Sequence, residues 1–335
     1  MKIGGWVILL LVSATHAGAV DLCLPTANDA LLRGRDADFY QPTVEGTVES
    51  GSFGCVRRGG RRFHEGIDIK CLQRDARGES IDPVHAVGEG TVAFINSKPG
   101  LSNYGRYVVL EHVWDGVEVF TLYAHLRDVA GGLAVGQSVQ KGQVLGRVGR
   151  STNTKEGITP DRAHLHFEIN LMLNPNFRAW YAKRDPKAPP FGNFNGRNLV
   201  GLDPAAFLRA YAANRKLNFA EYVARQPVAF TVLVGARPLR WVERHPEQLR
   251  GNQAAPVAYE VAVTGWGMPV AVWPRSAEEI GAAAQRQLQR GQPVLQRVDG
   301  AVAESTACRQ LLERAGSGWR LSVSGREWVE LLTYR

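Results

Sequence analysis

The chain has 335 residues, with 40 Lys and Arg against 32 Asp and Glu, a formal net charge of +8, 44% hydrophobic and 21% charged residues. That balance supports a packed core and excludes an intrinsically disordered chain, and the length leaves room for two ordinary domains. With 36 glycines, about one residue in nine, the chain turns often, which excludes coiled-coil, collagen-like and long-helix architectures in favour of short strands.

At the start of the chain, Met1-Lys2, the apolar run Ile3 to Val12 and the small residues Ala17-Gly18-Ala19 predict a secretory signal peptide over residues 1–19. The apolar run is too short to span a bilayer, and no later stretch of the mature chain is long and apolar enough to do so. The expected localisation is therefore exported, periplasmic or extracellular. Loss of Lys2 leaves 39 basic against 32 acidic side chains. Residues 20–50 form an N-terminal segment. Export makes Cys23, Cys55, Cys71 and Cys308 disulfide candidates with three possible pairings. A Cys55–Cys71 bridge across a short loop is favoured, with Cys23–Cys308 tying the ends together. Thiolate zinc ligation requires close Cys-x-x-Cys pairs, which the chain lacks.

Residues 51–202 hold the β-rich block. Apolar and polar residues alternate over Gly90 to Ile95, Tyr107 to His112, Val117 to Leu126, Gln143 to Val148 and Ala163 to Asn170. Evenly spaced period-two runs predict a mainly β fold, a compact antiparallel sheet or barrel-like unit. Between Leu171 and Leu202 the pattern dissolves into Pro, Asn, Gly and aromatic residues. Residues 203–335 read as a smaller α+β domain of unknown role. Helices are expected over Pro204 to Arg215, Ala277 to Arg290 and Ala303 to Ala315, strands over Pro227 to Val234 and Val257 to Val263, and a closing strand pair near Trp319 to Leu332.

The chemistry-bearing residues fall in three segments of the β-rich block. His64-Glu65-Gly66-Ile67-Asp68 offers an imidazole and a carboxylate to one metal ion. In a fully extended strand their Cα atoms would lie roughly 13 Å apart, so the chain must bend, and Gly66 is the residue that permits it. In His164-Leu165-His166-Phe167-Glu168-Ile169, alternation places Leu165, Phe167 and Ile169 on a buried face and His164, His166 and Glu168 on the other. Same-face neighbours about 6.6 Å apart suit one ligand beside one catalytic imidazole. His125 ends the third segment, where it can reach a site on a neighbouring strand. Glu168 reads as an orienting or solvated residue rather than a base.

These pieces resemble the lysostaphin/LytM-type zinc metalloendopeptidases of bacterial peptidoglycan. The resemblance rests on Phe63-His64-Glu65-Gly66-Ile67-Asp68, Val84 to Val92, Tyr104-Gly105 with Tyr107 to His112, Leu122-Tyr123-Ala124-His125-Leu126, Val135-Gly136-Gln137 with Lys141 to Gly146, and Ala163-His164-Leu165-His166-Phe167-Glu168. It covers about Gly54 to Asn170 and says nothing of the rest. It implies that His64, Asp68 and His166 bind one Zn2+ per chain, while His125 and His164 act on the water and the developing oxyanion. His85 and His112 fall at framework positions. Loops Arg150 to Arg162 and Asn96 to Asn103 are longer than the family pattern and should rim the groove.

The implied function is a secreted endopeptidase that hydrolyses peptide bonds of peptidoglycan stems or bridges through a zinc-activated water. The alternative is a non-catalytic wall-binding or amidase-activating LytM-like protein. The partner is peptidoglycan. Dispersed charge and export argue against nucleic acid, although Arg57-Arg58 and Arg61-Arg62 cluster beside the expected site.

Overall fold

The structure is a computed structural model and describes residues 20–185, 191–194, 196–237 and 239–335. The signal peptide read over 1–19 lies outside them. Among the described residues no helix is long and apolar enough to cross a membrane.

The period-two runs form strands: Gly90–Asn96, Tyr107–Trp114, Val117–Ala124, Val144–Arg147 and His164–Met172, each within two residues of its expected ends. The largest sheet has seven strands, paired antiparallel throughout. Its order is Leu199–Leu202, His164–Met172, Val117–Ala124, Tyr107–Trp114, Gly90–Asn96 and Ser138–Val139. Ile67–Lys70 pairs with the first half of His164–Met172, on the edge whose second half holds Leu199–Leu202. A three-stranded sheet of Pro83–His85, Val144–Arg147 and Asp128–Val129 lies beside it. The fold is mainly β and antiparallel as expected, and among the described residues no sheet closes into a barrel.

Alternation sends successive residues of the central strands into two interiors. Val108, Leu110, Val117, Val119 and Tyr123 join the main core, while Tyr107, Val109, Phe120, Leu122 and Ala124 pack on the opposite face with Phe94, Tyr104 and Phe194. A sheet covered on both faces is rigid, because neither side can relax without breaking close packing. That rigidity holds the side chains at its edge in place.

His112 is buried in this frame, with Nδ1 2.6 Å from the Glu89 carbonyl and Nε2 2.8 Å from the Thr121 hydroxyl. Burial pulls its pKa down to about 4, outweighing the carbonyl contact that raises it. From about pH 6.5 down to 4 the unfolded chain therefore binds a proton that the folded chain refuses. Stability contributed by neutral His112 is present above 6.5 and lost as pH falls through that window, by about 3 kcal/mol. Urea melts at pH 7 and pH 4 should show this loss in the native protein and a smaller one in His112→Asn. Equal losses in both would contradict it.

Residues 203–335 hold a four-stranded antiparallel sheet in the order Pro269–Arg275, Ala258–Thr264, Val228–Gly235 and Val294–Val298. Helix Pro204–Ala213 starts where Asp203 accepts from the Ala205 and Ala206 amides, with Pro at its first position. Helix Ala277–Gln289 starts with a capping box between Ser276 and Glu279. The helix expected over Ala303 to Ala315 is corrected: Gly300–Ser305 is helical, but Leu312–Ala315 is a strand paired with Gly318–Leu321. Gln310 adopts the left-handed conformation between them and ends the helical path. The closing strand pair near Trp319 to Leu332 is likewise replaced by strand Gly318–Leu321 and helix Val323–Thr333, started by the Ser322 hydroxyl accepting from the Gly325 amide. One buried cluster runs from Leu22 and Phe39 through Ile67 and Phe167 to Phe207, Trp241 and Leu332, so residues on both sides of position 203 share an interior.

The disulfide also differs from expectation. Cys55 pairs with Cys308, not with Cys71, and Cys23 and Cys71 are free and half-buried. The turn Ala307–Arg309 packs against the hairpin of Gly54–Arg57 and Arg62–His64, which brings the Cys55 and Cys308 Cα atoms to 5.8 Å. Cys71 instead follows Ile67–Lys70 on the main sheet, while Cys23 donates to the Ala86 carbonyl at 3.4 Å. A bridge closing a 253-residue separation contributes about 2–5 kcal/mol and ties the tail to the hairpin that carries His64.

Candidate metal centre

Three chain segments meet on one face of the large sheet, around the start of His164–Met172. His64 ends the strand Arg62–His64, residues 65–66 bend, and Ile67–Lys70 then runs antiparallel to His164–Met172 with Asp68 directly opposite His166. On the other side Ala124 faces His166, so His125 comes next to the same point. Gly66 serves the bend for a different reason than backbone freedom, since its φ is not positive. An added Cβ there would lie 2.3 Å from the Phe167 carbonyl oxygen and 2.8 Å from Glu168 Cγ. The two chains approach too closely for any side chain.

His64, Asp68 and His166 are brought together, with one potential ligand atom from each within 4.8 Å of the others. His64 Nε2 lies 3.0 Å from His166 Nδ1 and 3.2 Å from Asp68 Oδ1, and His166 Nδ1 lies 3.0 Å from that oxygen. All three residues are buried. The outward nitrogens are occupied: His64 Nδ1 is 2.7 Å from the Ser52 carbonyl, and His166 Nε2 is 2.7 Å from Glu168 Oε1. A carbonyl can only accept, so His64 carries its proton on Nδ1 and turns a lone pair inward. Glu168 is wholly buried, accepts also from the Tyr104 hydroxyl at 2.7 Å and the Asn170 amide at 2.8 Å, and so orients His166 rather than meeting solvent. Imidazoles held from behind by carbonyl and carboxylate groups are the usual outer support of metal ligands. Two such nitrogens and one carboxylate fit zinc with a fourth position open.

His125 and His164 stand beside this cluster. His125 has φ +60° directly after its strand, and its Nδ1 is 2.9 Å from the Ser151 carbonyl. His164 Nδ1 is 2.7 Å from the Arg162 carbonyl, and its Nε2 is 3.6 Å from Asp68 Oδ2. Their ring centres are 4.9 Å apart, and that of His125 is 5.8 Å from His166. Burial, and then the neighbouring imidazoles, push His125 well below its usual pKa, and burial lowers His164 as well. Both are neutral bases at pH 7. Burial likewise brings His64 down to about 4. For His166, burial acts downward but the Asp68 and Glu168 hydrogen bonds prevail and raise it to about 9. Burial would raise Asp68, yet Arg57 foremost and then His64 hold it well below the usual carboxylate range. Metal binding must release the His166 proton, so affinity rises with pH. His85 and His112 lie outside the cluster, each bonded to a backbone carbonyl.

Arg57 is the contact that sequence reasoning missed at the cluster itself. Its Nη2 donates to His64 Nε2 at 2.7 Å and to Asp68 Oδ2. The same guanidinium thus satisfies two of the three candidate ligands and competes with any cation for them. Arg57→Ala is expected to raise zinc affinity about tenfold and to lower the stability of the metal-free protein by about 1–3 kcal/mol. Competition against a zinc chelator and thermal melts in EDTA check the two effects; unchanged affinity would show that the guanidinium does not compete. The only sequence sign of it was the Arg57-Arg58 and Arg61-Arg62 cluster. The Ser52, Ser151 and Arg162 carbonyls leave no sign at all, because every residue carries one.

Residues 62–176 match the sequence profile of Peptidase family M23. Among solved structures the chain is similar to a zinc-containing peptidase from Vibrio cholerae at 27% identity, covering 32% of this chain and 26% of that one with a TM-score of 0.24. It is similar to the catalytic domain of the antimicrobial peptidase lysostaphin from Staphylococcus simulans at 21% identity, covering 48% and 87% with a TM-score of 0.29. It is also similar to Csd3 from Helicobacter pylori at 24% identity, covering 50% and 38% with a TM-score of 0.27. The chain therefore spans about a quarter of the Vibrio cholerae peptidase. No curated protein matches it.

Proposed function

We propose that the mature chain is an exported zinc-dependent endopeptidase acting on peptide bonds of bacterial peptidoglycan, with residues 51–202 as its catalytic unit and 203–335 as an accessory unit. The observation that supports this most is the buried His64, Asp68 and His166 cluster with the His125 and His164 rings beside it. His64, Asp68 and His166 hold the metal in this reading. Zinc bound there supplies Lewis acidity and an acidified water near neutral pH.

The chain's own residues do the rest. Ser52 and Glu168 keep the ligand nitrogens turned inward. His125 and His164, with Nδ1 committed to carbonyls, each present Nε2 as the acceptor or donor facing the groove. One would take the proton of the attacking water at Nε2 and return it to the amine nitrogen that leaves as the C–N bond breaks, while the other, on taking up a proton from solvent at Nε2, would donate to the carbonyl oxygen as its negative charge grows. The low pKa values of both keep the base form populated at neutral pH.

Protein purified without added metal is expected to hold one zinc per chain and to release peptide fragments from purified peptidoglycan, with loss in chelator and recovery on adding zinc. Folded protein that takes up no zinc and releases no fragments would leave the non-catalytic amidase-activating reading in its place.

A further inference from the structure

The groove at the cluster, about 250 Å3, is lined by four arginines: Arg57, Arg58, Arg62 and Arg162. Arg57 is engaged with Asp68 and His64. Arg62 and Arg162 are placed differently. Arg62 precedes His64 by two residues on one short strand, so alternation turns both side chains to the same face, about 6.6 Å apart. Arg162 precedes His164 by two residues, and its carbonyl fixes the His164 ring. The two guanidinium groups thus come from opposite flanks of the cluster.

Among the described residues Arg162 meets an acid only through the charge of the neighbouring Asp161, and the Arg162 Nε is buried with no hydrogen-bond acceptor. A buried, unsatisfied guanidinium nitrogen costs free energy that a bound acceptor would offset. The acidic groups of the groove are otherwise engaged or peripheral. Glu45 accepts from the backbone amides of Arg58 and Gly59, Glu65 pairs with Arg309 at 3.7 Å, and Glu156 is exposed on the rim.

We propose that Arg62 and Arg162 form a carboxylate-binding subsite, and that the groove selects peptides carrying a free carboxylate next to the bond to be cut over uncharged peptides such as glycine bridges. The inference rests on the peptidase reading and names the substrate class for that site. A planar carboxylate matches the fork of a guanidinium, and partial burial at Arg162 removes the water that would screen the pair. Arg62, more exposed, adds attraction that falls with salt.

The test is equilibrium binding, which does not depend on turnover. The full mature chain, zinc-loaded, is titrated with the stem tetrapeptide L-Ala-γ-D-Glu-meso-diaminopimelate-D-Ala and with the same peptide amidated at its side-chain carboxylates. The acid form is expected to bind about tenfold tighter at low ionic strength, with the preference reduced at high salt. Arg162→Gln should bring the two forms within about threefold, Arg62→Gln should weaken the salt dependence, and Arg162→Lys should recover only part of the preference. Equal binding of acid and amide, no binding of either, or a preference unchanged in Arg162→Gln would each overturn the subsite. Digestion of purified peptidoglycan is scored separately. Cleavage without a carboxylate preference removes the subsite alone, and a preference without cleavage removes the hydrolase reading alone.

Discussion

His166→Ala is expected to lose both bound zinc and peptidoglycan digestion while keeping the fold. His166 supplies one of three inward donors and stands opposite Asp68 in register, whereas the other imidazole of its strand, His164, is fixed two residues away by the Arg162 carbonyl. Changing an outer partner of a metal ligand already costs about 10- to 100-fold in affinity or activity, and removal of the ligand itself should exceed that. Glu168 keeps its bonds to Tyr104 and Asn170 after the change, which limits structural damage. Metal content by mass spectrometry, fragment release and near-ultraviolet circular dichroism check the three parts. Full digestion by a folded His166→Ala protein would remove the catalytic role given to this cluster.

Gly66→Ala should produce the next largest effect, although it adds a single methyl group. The new Cβ would meet a backbone carbonyl, Phe167 O, at 2.3 Å, and Glu168 Cγ at 2.8 Å. Backbone in the middle of a two-sided sheet cannot step aside as a flexible side chain end would, so the strand carrying Asp68 must move away from the strand carrying His166. Overpacking of this kind costs about 1–3 kcal/mol. The same displacement widens the ligand triangle, and zinc affinity should fall about tenfold or more, because metal sites tolerate only small errors in ligand placement. Thermal melts in chelator measure the packing cost, and zinc competition measures the ligand displacement. If both stay at native values, the bend at residues 65–66 has room that the static contacts do not show.

The strands of residues 90–172 were legible because their alternation is strong and both faces of the sheet demand apolar residues. The candidate site was legible in its residue types: His64, Asp68, His125, His164 and His166 all come to one place. The tail was read less well. Strands Pro269–Arg275 and Val294–Val298 leave no sign in the sequence, and Leu312–Ala315 reads as helix, because short strands with mixed burial carry little periodicity. The cysteine pairing differs from the expected one for a related reason. Closeness in sequence favoured Cys55 with Cys71, yet loop closure over long separations costs only slowly more, and packing of the tail on the His64 hairpin decided the matter.

Residue order alone therefore determined the local features: alternation within strands, the His-x-His spacing that turns two imidazoles to one face, and the caps at Asp203 and Ser276. Tertiary structure alone decided which strands became neighbours, and with that the placement of Asp68 opposite His166, the carbonyls that set each imidazole, the Arg57 guanidinium on two of the ligands, and the Cys55–Cys308 bridge. The division has a physical cause. Periodicity and capping act over a few residues, whereas register and packing are settled by the free energy of burying the whole interior at once.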